Sequence, residues 1–191
     1  MAGFSFNLKM EYPLGPLSIP MVEQVFRWEG IDPGDFAPAI AEKILGFVRD
    51  GALDRDFRRW CASGEAPACA AQLGRKWIEL LFNSVAGHIY AHGYYLDWAS
   101  VSEALPFGQY FCESIYCAEH AKLDGFVARF DDPVWKDVYP LNGWMCGCAV
   151  APIMEEDLEV RPYVARSVAE GLRLRCGTWL QSRPDKILRL L

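Results

Sequence analysis

The side chains with chemistry to offer gather late in the chain. Cys112, Cys117, His120, Cys146 and Cys148 fall within 37 residues, with Asp124, Asp131 and Asp132 among them. Zinc takes thiolate and imidazole ligands in a tetrahedron, and Cys117-x2-His120 with Cys146-x-Cys148 supplies the right types from two turns; the ion would close the loop between them. The single residue between Cys146 and Cys148 is tighter than the roughly two to four of an ordinary zinc knuckle. Cysteine is also simply a common buried residue. Two readings stay open: a hydrogen-bonded all-protein turn, which the spacing favours, and a structural zinc on Cys117, His120, Cys146 and Cys148.

A different arrangement would set His120 with Asp124, Asp131 and Asp132 as a metal-dependent hydrolase or nuclease. Carboxylates would hold a hard cation there, and the imidazole would move a proton near neutral pH. Asp124-Gly125 and Asp131-Asp132-Pro133 are also ordinary turn formers whose carboxylates cap nearby amides, and capping is the expectation taken. A cysteine nucleophile served by His120 lacks an evident third residue to orient the base. The sequence carries neither a phosphate-binding glycine loop ending in Lys-Ser/Thr nor a Gly-x-Ser-x-Gly turn. Earlier, His88 and His92 stand four apart on one helical face without the acidic partner of a metalloprotease helix, so a partly buried, hydrogen-bonded pair is expected. Trp135, Tyr139 and Trp144 suit either a small core or an interface; Trp144 is placed inside and Trp135 is left open.

These residues need a scaffold. Pro13, Pro16, Pro20 and Pro33 make residues 1–35 an extended arm, with alternating Phe4, Phe6, Leu8, Met10 and Tyr12 and then a short helix from Pro20 to Trp28. A helix capped by Asp35 runs to about Arg49 on Ile40, Ile44, Phe47 and Val48, with Gly51 ending it. Another starts at Asp54, burying Phe57 and Trp60 and turning Arg55, Arg58 and Arg59 outward. Residues 68–98 read as a long helix on Leu73, Trp77, Leu80, Leu81, Val85 and Ile89, with a kink or break near Gly93. Past Pro106, glycines and prolines cut the chain into short pieces, with strands expected at Leu123–Phe130 and Cys148–Ile153 and an exposed acidic turn at Glu155–Asp157. Tyr163–Leu174 reads as a helix, and the apolar terminus from Ile187 is either docked or a subunit contact. The fold class is α+β: a mainly helical N-terminal body and a compact, turn-rich C-terminal module with short strands. The divisions are an arm with its short helix (1–35), a helical body (36–106) and the module with its C-terminal helix and tail (107–191).

Composition limits the function. The 191 residues are 52% hydrophobic and 14% aromatic, enough for one substantial core. A net charge of −6 with no gathered Lys/Arg run argues against a dedicated nucleic-acid binder, which needs a concentrated positive footprint. No secretory pattern opens the sequence and no long uncharged apolar run crosses it, so a non-membrane protein of the reducing cytoplasm is expected, its seven cysteines thiols or metal ligands.

One stretch carries a resemblance. His120-x2-Leu123-Asp124-Gly125-x-Val127, then Asp131-Asp132-Pro133-x-Trp135, then Tyr139-Pro140-x-Asn142-Gly143-Trp144-x-Cys146-x-Cys148-x-Val150 resembles the C-terminal signature of the phage Mu F-like and SPP1 gp7-like minor head, or head morphogenesis, proteins. The likeness covers about residues 110–153. It departs from the family pattern at Gly147, where an arginine is usual, at Cys117, where Mu-type members carry a charge, and at Glu113-Ser114-Ile115, where an Asp-Ser-Arg-like element is common. The resemblance implies a low-copy structural protein of a tailed-phage head, partnered with the portal or major capsid protein. It further implies assembly in the host bacterial cytoplasm and a final place in the virion head, with only indirect proximity to packaged DNA.

Overall fold

The computed structural model describes residues 13–112, 120–140, 143–160 and 183–191. The expected alternating strand at 4–12 and the helix at 163–174 lie outside them, as do Cys117 and Asn142. Helices α1 (Ser18–Trp28), α2 (Ala37–Arg49), α3 (Asp54–Ala62) and α4 (Arg75–Val101) come first. Strands β1 (Phe107–Cys112), β2 (Val127–Arg129) and β3 (Cys148–Ile153) follow, with a single turn α5 (Trp135–Val138) between the last two and α6 (Asp185–Leu190) at the end. The architecture is the expected helical body with a compact module of short antiparallel strands.

The helices form where apolar residues recur at helical spacing. Met21, Val22, Val25 and Phe26 of α1 are wholly buried, and Pro20 sits in its first turn, where an absent N–H leaves no bond unmade. Asp35 is not the cap of α2. It lies in a 3-10 turn, Gly34–Phe36, that runs directly into the helix, while Asp32 Oδ1 accepts from the Gly34 amide at 2.9 Å. Gly51 ends α2 at φ +67°, a backbone conformation that favours glycine. In α3 the Asp56 carboxylate accepts the Leu53 amide at 3.1 Å, Phe57 is buried, and Trp60 is half-buried and stacked on it. Helix α4 starts at Arg75, later than its apolar pattern, and runs 27 residues through Gly93 without the expected break. Gly93 is buried, so tertiary packing overrides its weak helical preference.

Among the described residues two apolar cores result. The larger joins α1 to α4, and the smaller gathers Trp98, Tyr110, Leu123, Phe126, Val134, Trp135, Val138, Cys146 and Cys148. Because Trp98 belongs to the last turn of α4, one rigid helix reaches both cores. The sheet order is β2-β1-β3, antiparallel throughout, with Phe107 opposite Ile153 at one end of the β1–β3 ladder and Cys112 opposite Cys148 at the other. Strand β3 has the expected bounds, whereas only three residues of Leu123–Phe130 form a strand. His120–Leu123 is instead a 3-10 turn, and Gly125 turns at φ +81° before β2. The acidic run lies in a further 3-10 turn, Glu155–Val160. Helix α6 docks: Ile187, Leu188 and Leu191 pack on the larger core, and Lys76 Nζ donates to the Leu188 carbonyl at 2.8 Å. Among the described residues no helix is long and apolar enough to cross a membrane.

Candidate metal centre and its supports

The end of the β1–β3 ladder brings three donors together. His120 Nδ1 lies 3.5 Å from Cys146 Sγ and 3.8 Å from Cys148 Sγ, and the three donor atoms all fall within 4.8 Å of one another. All three residues are buried. Zinc bonds of about 2.0–2.3 Å in a tetrahedron set neighbouring ligand atoms roughly 3.5–3.8 Å apart, and both distances from His120 Nδ1 to the sulfurs fall in that range. Cys112 Sγ lies 3.2 Å from Cys148 Sγ but is not part of the three-donor group. Tyr110 lies beneath, fully buried, its hydroxyl against the Cys148 thiol. Burial first, then the Cys148, Cys146 and Cys112 thiols around it, push the phenol pKa upward. A thiolate held on a metal would be a stronger acceptor for that O–H than a thiol.

The geometry of the turn comes from the helical body. Trp144 points away from the cysteines into the larger core, its ring 5.3 Å from that of Trp28 on α1. Met145 takes a left-handed conformation, φ +54°, and its amide donates to Ser84 Oγ on α4 at 3.0 Å. Ser84 is 1% exposed, a hydroxyl inside the apolar stripe of the long helix. The two residues before Cys146 are therefore fastened to α1 and α4. Ser84, Met145, Trp28 and Tyr110 escaped sequence reasoning; the signal for Ser84 was a small polar residue on the buried side of α4.

The aspartates do not join the cluster. Asp124 Oδ1 accepts the Cys112 amide at 3.0 Å, Asp132 Oδ1 accepts the Val134 amide at 2.9 Å, and exposed Asp131 pairs with Arg129 at 3.2 Å. No carboxylate stands with His120 among the described metal-ligand groups, so the geometry does not favour the hydrolase arrangement. Trp135 is 3% exposed, donates Nε1–H to the Arg129 carbonyl at 2.7 Å and packs edge-on to Trp98. Pro133 is exposed on the turn before it and Pro140 is buried after it. Half-buried Gly143 precedes Trp144, and Gly147 is exposed between the two buried cysteines.

His88 and His92 are not bonded to each other. His88 Nε2 accepts the Leu17 amide at 3.1 Å, which leaves the ring proton on Nδ1, a buried atom without a partner among the described residues. Burial, and then His92, lower the His88 pKa to about 4. The two histidines, Tyr95, Tyr139, Asp131 and Lys136 border a groove of about 420 Å³ between α4, the arm and the module.

No family model matches the chain, and no solved structure matches it. Among curated proteins it is similar to capsid assembly protein F of Escherichia phage Mu, 28% identical over 134 residues, covering 61% of this chain and 30% of that protein. It is also similar to the Mu-like prophage FluMu F protein of Haemophilus influenzae, 41% identical over 44 residues, covering 23% of this chain and 11% of that one. The chain thus spans less than a third of the length of either relative in the aligned parts.

Proposed function

The chain is homologous, at low identity, to the F proteins of phage Mu and the FluMu prophage, and from that premise we propose that it is a structural component of head morphogenesis in a tailed phage or prophage. The match to capsid assembly protein F over 61% of the chain is the observation that carries this reading. In it the chain binds the portal or the major capsid protein during assembly in the host cytoplasm and stays in the virion head. A net charge of −6 fits a protein partner better than direct contact with packaged DNA. The test is co-purification of the full chain with portal and major capsid protein of its own phage, followed by mass spectrometry of purified heads. Recovery with one of the two and presence in heads are expected; absence from assembled heads overturns the role.

Within that role, His120, Cys146 and Cys148 hold a structural zinc that closes the module. The support is the convergence of three buried donors, with His120 Nδ1 3.5 Å and 3.8 Å from the two sulfurs. Elemental analysis of protein purified without added metal should give one equivalent of zinc, lost in the Cys146→Ser/Cys148→Ser double variant. Substoichiometric metal in folded protein overturns the zinc reading and leaves the assembly role to its own test.

A further inference from the structure

We propose that Cys112 and Cys148 are a redox pair, which a two-electron oxidation joins as a cross-strand disulfide, removing Cys148 from the donor set it shares with His120 and Cys146. Three observations carry this. Cys112 and Cys148 are direct partners at the end of the antiparallel β1–β3 ladder, where facing side chains stand close enough for a disulfide after small torsional changes. Their sulfurs already lie 3.2 Å apart. Cys112 is half-buried while Cys146 and Cys148 are 7% and 6% exposed, so a reagent reaches the pair through Cys112. The Asp124 carboxylate, bonded to the Cys112 amide, fixes that end of β1.

The oxidant is a small-molecule disulfide of the glutathione class. The Cys112 thiolate attacks one sulfur of the reagent, forming a mixed disulfide and releasing one thiol. Cys148 then attacks Cys112 Sγ, expelling the second thiol and closing the protein disulfide. Two protein thiols give up two electrons and two protons, and the reagent becomes two thiols. Cys112 lies outside the three-donor group, so it acts beside the metal and not as its ligand. A protein assembled in a reducing cytoplasm and then carried into an oxidising medium would pass through this step; that setting rests on the proposed head role, whereas the pair itself rests on the strand geometry.

The experiment treats the full reduced chain, loaded with zinc, with oxidised glutathione, and follows disulfide-linked peptides by mass spectrometry and freed zinc with a chromophoric chelator. The expected first link is Cys112–Cys148, with one zinc released per link. Cys112→Ser and Cys112→Ala should bind zinc as the parent does and lose none under the same oxidant, whereas Cys146→Ser should still form the link. A first link between Cys146 and Cys148, or to any other cysteine, overturns the proposal, and so does zinc loss from the Cys112 variants at the parent rate. If the reduced chain binds no zinc, the metal reading fails, and the linked-peptide map alone still decides for or against the pair.

Discussion

His88 should make the protein lose stability in acid over a defined window. Its Nε2 accepts the Leu17 amide, so the neutral ring with its proton on Nδ1 fits the fold. A second proton would destroy the only acceptor, set N–H against N–H, and place a charge where the side chain is 7% exposed. The folded pKa of about 4 against 6.5 in the unfolded chain corresponds to about 3 kcal/mol. The sign follows from proton uptake. Below pH 6.5 the unfolded imidazole binds a proton that the folded one refuses until about pH 4, so stability falls as pH drops through that window, by at most about 1.4 kcal/mol per pH unit.

Urea unfolding at steps from pH 7 to pH 4 isolates this effect by comparison with His88→Gln, which stays neutral and keeps an acceptor for the Leu17 amide. His92, Asp131, Asp132 and Lys136 border the same groove and are present in both proteins, so their contribution cancels to first order. The parent is expected to lose stability more steeply than the variant between pH 6.5 and pH 4, so that the gap between the curves shifts against the parent by up to about 3 kcal/mol toward the acid end. Parallel curves across the window, or an imidazole NMR titration of His88 with its midpoint near 6.5, would refute the reasoning.

Other substitutions probe the remaining supports. Gly15→Ala puts a Cβ 2.5 Å from His88 Nε2, so the arm must move; a loss of about 1–3 kcal/mol in urea unfolding is expected. Gly108→Ala drives a Cβ into the Trp98 ring and to 2.7 Å from Val150, with a cost at or above the same range and a changed near-ultraviolet signal from the tryptophans. Trp144→Ala opens a hole against Trp28 in the larger core; about 3–5 kcal/mol should be lost, and zinc affinity should fall although no donor is touched.

The helical body was legible because its burial repeats locally. Met21, Val22, Val25 and Phe26, or Ile40 and Ile44, announce a face by spacing alone, and tertiary structure only completes it. The central strand was not legible. Phe107–Cys112 contains glycine and glutamine, and Gly108, Gln109 and Tyr110 are buried in succession, so the run shows no alternation; it is held by a strand on each side. Leu123–Phe130 misled for a local reason, since Gly125 at φ +81° breaks a stretch whose apolar content suggested continuity. At the site, residue type disclosed His120, Cys146 and Cys148 as candidate donors, but their convergence depends on the register that pairs Cys112 with Cys148. Likewise Asp35 looked like a cap, yet a preceding 3-10 turn delivers the chain to α2 already wound.

The cysteine turn is best understood as an extension of the helical body. Met145 in the left-handed region costs about 1–2 kcal/mol, and a turn closed only by its own residues would relax it. Two contacts prevent this. The Ser84 hydroxyl accepts the Met145 amide, and the buried Trp144 ring lies against Trp28, each joining the turn to a helix that is fixed independently. Burial of an indole outweighs the backbone strain, so the conformation that presents Cys146 to His120 persists before any ion arrives. That ordering implies a preorganised site, in which zinc tightens the module without creating it. Chelation should therefore leave the helices and the Trp144 packing intact while loosening His120–Asp124 and the β1–β3 end. Hydrogen exchange after chelator treatment would show faster exchange at the Cys112 and Cys148 amides and unchanged protection in α4; loss of protection throughout α4 would refute this order.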